Sequence, residues 1–236
     1  MKVVSWNILQ GGGRRLDAIC RMLCEWLPDI VTLQEVRRSS VDQLNESLST
    51  CGLKYSFQPD TNSASENTLY IAGREPLDAG EFQTERSGLC HILEAETMGI
   101  TLLPVHFPQK TLQIPLFEAV LADTPSLLRR KCLILGDMNC GIPFQDSTDK
   151  TFVNTKHFQA LKDAGWVDLY RQCHGEKAQD FSWISPRTQR GFRYDHAMGS
   201  VSLAKATIDC QYIHSVREQG LSDHSALIVE LASNVT

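Results

Sequence analysis

Short β-prone apolar runs recur along this chain, and several follow one another with no helical segment between them. "KVVSWNI" and "DIVTLQEV" open the chain, "TLYIAG", "LCHILEAE", "ITLLPVHF" and "KCLILG" occupy its middle, and "FRYDHAM", "ATIDCQYI" and "SALIVEL" close it. Helical patterns are fewer. In "RRLDAICRMLCEWL" the residues Leu16, Ile19, Cys20, Leu23, Cys24 and Leu27 recur at helical spacing until Pro28 stops the run. "SVDQLNESLSTCG" turns Val41, Leu44, Leu48 and Cys51 inward before Gly52 breaks it, and "KHFQALKDAG" reads as a further helix. Strands in excess of helices, with apolar sheet faces to cover, predict an α/β fold. The expected form is a four-layered α/β sandwich, two packed mixed β-sheets flanked by helices. No Pro/Gly/Ser-rich linker or repeat divides the 236 residues, so a single domain over 1–236 is expected.

The N-terminal "MKVVSWNILQ" is interrupted by Ser5, Asn7 and Gln10, which excludes a signal-peptide core, and no later segment reaches membrane-spanning length. A cytoplasmic, monomeric protein is expected. The eight cysteines (20, 24, 51, 90, 132, 140, 173 and 210) are scattered without a Cys-x-x-Cys pair, so most read as small core residues. A net charge of −5 excludes general polyanion binding, which leaves nucleic-acid contact to a local basic edge such as Arg14/Arg15, Arg37/Arg38 or Arg129/Arg130. Such pairs are also ordinary solvated surface.

Polar residues fall at the ends of the β-prone runs. Asn7, Glu35, His106 and Asp137 with Asn139 end theirs, and Asp223 with His224 precedes the last. Strand ends of a sandwich gather along a rim, where distant residues can converge on a rigid frame. Glu35, Asp137 and Asp223 are hard oxygen donors that favour Mg²⁺ or Mn²⁺ over zinc, while Asn7 and Asn139 can hold a water or phosphate oxygen without adding charge. Acids, amides, imidazoles and a hard cation together suit phosphoester hydrolysis. In "GDMN" the two-residue spacing of Asp137 and Asn139 on extended backbone predicts that both point to one side, with Gly136 allowing backbone and substrate to approach closely. Taken singly, each has a plainer reading: Asn7 and Asn139 as turn formers, Asp223 as a helix cap, Glu35 as a surface carboxylate.

"SWNI", "LQEV", "GDMN" and "SDHSAL", in that order, resemble the endonuclease/exonuclease/phosphatase superfamily, whose members share the deoxyribonuclease I fold. "HFPQ" is similar to the Tyr-Phe-Pro-Gln element of the exonuclease III and abasic-site endonuclease branch, and "AGWVDLYRQCH", "FSW" and "RGFRYDHAMGS" resemble its late segment. The chain departs from that branch at His106, where tyrosine is usual, and in "RYDHAM", where the strand is usually more apolar.

The resemblance implies metal binding by Glu35 with Asn7 and Asp223. It implies that Asp137 activates water with help from Asn139, that His224 contacts the phosphate with Asp195 fixing its tautomer, and that His106 is a second donor. Asp195 alone could instead form a structural pair with Arg193. Gln109 would contact a phosphate oxygen, Arg193 the substrate, and Glu66 would be a carboxylate paired with His106. Trp183, Phe192 and Tyr194 lie where that branch forms a small pocket, although Phe192 and Tyr194 could equally be a core pair. The implied function is Mg²⁺- or Mn²⁺-dependent DNA cleavage. The alternative is hydrolysis of a non-nucleic-acid phosphoester or a protein–DNA adduct.

Overall fold

A computed structural model describes residues 1–60, 63, 66–82, 91–149 and 152–232. In chain order, β1 (Lys2–Asn7), α1 (Leu16–Glu25), β2 (Ile30–Arg37), α2 (Arg38–Thr50), β3 (Tyr55–Phe57) and β4 (Asn67–Gly73) form the first part. Next come β5 (Asp78–Glu81), β6 (Leu93–Thr97), β7 (Ile100–His106), α3 (Ile114–Leu127), β8 (Cys132–Asp137) and α4 (Thr155–Asp163). Then follow β9 (Val167–Asp168), α5 (Leu169–His174), β10 (Trp183–Ile184), β11 (Gly191–Phe192) and β12 (Asp195–Gly199). The last elements are α6 (Val201–Ala206), β13 (Thr207–Ile213), α7 (Ser215–Glu218) and β14 (Ala226–Leu231).

Two mixed six-stranded sheets result, one ordered β13-β14-β1-β2-β4-β3 and the other β5-β6-β7-β8-β12-β9. Period-two alternation sends neighbouring side chains to opposite faces and so builds the layers. Val3, Ile30, Leu69, Leu133, Leu135 and Leu227 fill the space between the sheets. Val4, Trp6 and Leu33 face the other way, onto Ile19, Leu23 and Leu44 of α1 and α2. On the far side, Leu103, Val105 and Ile134 meet Phe117, Val120 and Phe158 of α3 and α4. Each such buried aliphatic or aromatic side chain stabilises the fold by roughly 1.5–3 kcal/mol. These three apolar layers are the expected four-layered sandwich.

The parallel pairs set the rim. β1 runs parallel to β2 with Asn7 opposite Gln34, and β7 runs parallel to β8 with His106 opposite Asp137. β12 enters antiparallel beside β8, placing Asp195 opposite Asp137. Gly136, at φ 133°, permits the close backbone approach expected of it: a Cβ would lie 2.2 Å from the Val105 carbonyl oxygen of β7.

Other expectations change in detail. Leu27 lies beyond α1 at φ 51° and is 66% exposed, because the chain has already turned toward β2. "FRYDHAM" is not one strand; it divides into the end of β11 and the start of β12. α3 has no counterpart among the helices expected from the sequence; it accommodates two prolines, Pro115 in the first turn, where a missing N–H costs nothing, and Pro125 near the end. Cys20, Cys132, Cys140 and Cys210 are buried as expected, whereas Cys24 and Cys51 form a disulfide between α1 and the end of α2. Cys90 lies outside the described residues. Among the described residues no helix is long and apolar enough to cross a membrane.

Candidate active site

Asn7, the last residue of β1, is buried, and its carboxamide joins two acids: Nδ2 donates to Glu35 Oε1 and to Asp137 Oδ2, each at 3.2 Å. Its Oδ1 accepts from the Leu9 N–H at 3.0 Å. The β2–β4 register shifts between Leu33 and Val36, and Glu35 takes φ 59° within that irregularity. A bulge of this kind re-aims a side chain, and here it directs Glu35 toward the rim. Glu35 Oε2 accepts from the Gln10 N–H at 2.8 Å and from Asn67 Nδ2 at 3.2 Å.

Asp137 ends β8 almost fully buried, and its Oδ1 accepts from the Asn139 N–H at 2.9 Å. Burial is the largest influence on its carboxyl; although His224 opposes it, the group is pushed up to about 7. Asn139 does not extend the strand as the two-residue spacing predicted. It adopts φ 47°, a conformation Asn tolerates, and its Nδ2 donates to the Phe107 carbonyl at 2.9 Å. Its grip on Asp137 is through the backbone N–H, which corrects the picture of two side chains aimed together at one water.

His224 Nδ1 lies 2.8 Å from Asp195 Oδ2, and its Nε2 lies 3.8 Å from Asp137 Oδ2. Burial disfavours the charged imidazole, but Asp195 as charge and hydrogen-bond acceptor, with Asp137, outweighs it and lifts the group to about 10. Reciprocally, burial would raise Asp195, and the imidazolium holds it below the ordinary carboxylate range. Asp195 therefore pairs with His224 and not with Arg193. His106 Nε2 stands 4.0 Å from both Glu35 Oε1 and Asp137 Oδ2. Its own amide and carbonyl are held by His91.

Asp223 is anchored through Oδ2, which accepts from Trp183 Nε1 at 2.9 Å, while its Oδ1 is buried with no hydrogen-bond partner among the described residues. Such an orphaned oxygen suits a cation or a bound water. Asp137, Asp195 and His224 also present atoms within 4.8 Å of one another. A histidine bound as a metal ligand must be neutral, and His224 is held charged by two acids, so it is poorly suited to ligation. Glu35 and Asp223 offer carboxylate oxygens of the hard kind that suits a divalent cation, while Asn7 turns Nδ2 to the acids and Oδ1 to the Leu9 N–H.

Tyr194 and Phe192 stack with centroids 5.2 Å apart and an interplanar angle of 13°, and the Tyr194 ring lies 6.4 Å from that of His224. Both line a pocket of about 200 Å³ together with Gln109, Lys110, Gln113, Asn139, Phe152 and Val153. Trp183 does not line it; its ring packs 5.6 Å from Tyr194 and 5.7 Å from Phe192.

Arg193 corrects the expected substrate-binding set. It is 1% exposed, and Nε donates to Asp146 Oδ1 at 2.7 Å while Nη1 and Nη2 both reach Asp168. Arg171 completes the cluster on Asp146, and Tyr170 lies under the guanidinium at 5.3 Å. The side chain has no direction left toward substrate. Asn67, Gln113 and Phe152 were missed by the sequence reading. Asn67 had a signal, standing beside Glu66 at the start of an apolar run, whereas nothing local marks the other two.

The model of the Endonuclease/Exonuclease/phosphatase family matches residues 4–224. No curated protein matches the sequence significantly. Among solved structures, the 3′ phosphatase NExo from Neisseria bound to a product DNA hairpin superposes with TM-score 0.82 at 21% identity, covering 98% of this chain and 99% of that one. An AP endonuclease from Archaeoglobus fulgidus gives 0.83 at 19% identity, covering 98% and 99%. The 3′-5′ exonuclease NExo from Neisseria meningitidis gives 0.81 at 21% identity, covering 98% and 100%. At these identities the likeness is one of fold.

Proposed function

Because the chain belongs to the endonuclease/exonuclease/phosphatase family, we propose that it is a divalent-metal-dependent phosphodiester hydrolase acting on DNA, of the exonuclease III and abasic-site endonuclease type. The observation that carries the reading is the run Asp195–His224–Asp137–Asn7–Glu35, five side chains linked by contacts of 2.8, 3.8, 3.2 and 3.2 Å at one rim. DNA as substrate is supported by the solved neighbours of the same fold, which are a 3′ phosphatase, an AP endonuclease and a 3′-5′ exonuclease.

In this reading Asp137, with its carboxyl near neutrality, accepts the proton of the attacking water, while the Asn139 N–H and Asn7 Nδ2 hold its two oxygens in place. The charged His224 donates from Nε2 to a phosphoryl oxygen, and Asp195 keeps the imidazole charged and oriented. His106 faces the same point and supplies a second donor to the phosphate or leaving oxygen. Glu35, Asn7 and Asp223 would hold Mg²⁺ or Mn²⁺, which supplies Lewis-acid stabilisation of charge developing on the phosphoryl group. Gln109, exposed and lining the neighbouring pocket, would contact a flanking phosphate.

The test is a panel of abasic duplex, blunt duplex, single-stranded DNA and small phosphoesters, each with Mg²⁺ or Mn²⁺. Metal-dependent cleavage of at least one DNA is expected. The net charge of −5 favours a second reading, hydrolysis of a non-nucleic-acid phosphoester. Turnover confined to small phosphoesters would establish that reading instead.

A further inference from the structure

Residues 180–183, which lead into β10, are bonded to both halves of the Asp195–His224 pair. The Ser182 hydroxyl oxygen accepts from the Tyr194 and Asp195 N–H groups, each at 3.1 Å, and the Ser182 carbonyl accepts from the Ser225 N–H at 2.8 Å. Trp183 stands opposite His224 in an antiparallel bridge and holds Asp223 through its indole. Ser182 and Ser225 are fully buried. This short strap therefore sets the spacing between the start of β12, which carries Asp195, and the residue that follows His224.

One imidazole fastens the strap from outside. His214, just ahead of α7, places Nε2 2.9 Å from Asp180 Oδ1 and Nδ1 2.9 Å from Ser225 Oγ. Asp180 is itself fixed, because Oδ1 also accepts from the Phe181 N–H at 2.8 Å and Oδ2 accepts from the Tyr170 hydroxyl at 3.3 Å. Farther along α7, Arg217 Nη1 donates to the Phe181 carbonyl at 2.8 Å. The His214 and Asp180 side chains are 31% and 28% exposed, and an ion pair so placed adds little stability by itself. What an ordinary surface pair lacks is the second contact, from the same ring to a buried hydroxyl beside His224.

We propose that Asp180 and His214 are positioning residues for the hydrolytic centre: the chain Asp180–His214–Ser225 clamps the strap and so holds the His224 imidazole against Asp195 and facing Asp137. The inference rests on the DNA-hydrolase reading and adds to it residues that act only through the Asp195–His224 pair. A misplacement of about 1 Å caused by a change far from the chemistry can cost about 10²-fold in rate, and supporting hydrogen bonds are what keep a reacting group within that tolerance. Because the clamp governs the spacing of Asp195 and His224, its loss falls on turnover and leaves DNA binding in place.

His214→Ala removes both contacts of the ring, whereas His214→Gln keeps a donor near Asp180, fills most of the same space and gives up the bond to Ser225. Single-turnover cleavage of the DNA that the wild type cuts is expected to fall about tenfold in either variant, with DNA affinity retained. Added to Asp195→Asn, where the pair is already weakened, His214→Gln is expected to cost less than about twofold more, since residues that act through one unit are non-additive. A wild-type rate in folded His214→Gln, a matching loss of DNA affinity, or a full further tenfold loss on top of Asp195→Asn overturns the proposal. Solvent exchange of the His224 Nδ1 proton, followed by NMR without metal or DNA, reads the same positioning without turnover. Exchange at least about fivefold faster in His214→Gln is expected, as for a locally loosened hydrogen bond, and unchanged exchange overturns the proposal. A wild type that cleaves no DNA would reject the hydrolase reading, and the exchange measurement would still decide the clamp.

Discussion

Asp195 Oδ2 lies 2.8 Å from His224 Nδ1, with both side chains buried at the start of β12 and just ahead of β14. A contact this short between buried groups fixes the imidazole ring and its charge together, leaving Nε2 to face Asp137 at 3.8 Å. Asp195→Asn keeps the shape and removes the charge. Turnover is expected to fall by about 10²-fold with DNA affinity retained, since a preorganised electrostatic partner of the transition state is weakened. Single-turnover cleavage and equilibrium binding check this, and an unchanged rate would remove the pair from the mechanism.

Glu35 is held in place by three hydrogen-bond donors, the Gln10 N–H, Asn67 and Asn7. Glu35→Ala is expected to weaken Mn²⁺ binding by at least about 10- to 100-fold, the range lost when only a supporting partner of a metal site is removed. Titration calorimetry reads this directly, and EDTA is expected to abolish wild-type cleavage. Unaltered Mn²⁺ affinity would place the cation elsewhere.

Gly136 leaves no room for a side chain: at φ 133°, a Cβ on this residue would stand 2.2 Å from the Val105 carbonyl oxygen. Gly136→Ala is expected to destabilise the protein by more than about 2 kcal/mol, combining backbone strain with a forced shift of β7 against β8. Urea denaturation measures the loss. Destabilisation below about 0.5 kcal/mol would show that the two strands separate freely.

The Arg193 cluster is expected to govern acid stability. Burial alone would raise Asp168 and Asp146, but Arg193 outweighs it and holds both below the ordinary carboxylate range. Because the folded values are depressed, the stabilisation is complete above the unfolded carboxylate value near about 4 and is lost as pH falls below it. Arg193→Met leaves buried acids uncompensated, at a cost of about 3–5 kcal/mol at neutral pH, and should flatten the fall in stability below pH ~4. Thermal melts between pH ~2 and ~7 distinguish the two proteins.

The rim was legible because strand-terminal polar residues leave a local signature: Asn7, Glu35, His106 and Asp137 each follow an apolar run, and strand pairing then brings them together. Arg193 was misplaced because its partners Asp146 and Asp168 lie 47 and 25 positions away, and an arginine between aromatics looks the same in sequence whether it faces substrate or the interior. The role of Asn139 was half legible: the sequence marks the residue, while a turn at φ 47° hands the contact to its N–H. Phe152 joins the pocket through tertiary packing alone, so no spacing in the chain announces it.

The central claim is that Asp137, buried between Asn7, Asn139 and His224, is the base of a phosphodiester-hydrolysing centre. Asp137→Asn keeps the hydrogen-bonding shape and removes the proton acceptor, so the decisive measurement is its single-turnover DNA cleavage with Mg²⁺ beside the wild type. A rate reduced about 10²- to 10³-fold at unchanged DNA affinity is predicted. Cleavage by the variant at the wild-type rate would contradict the account.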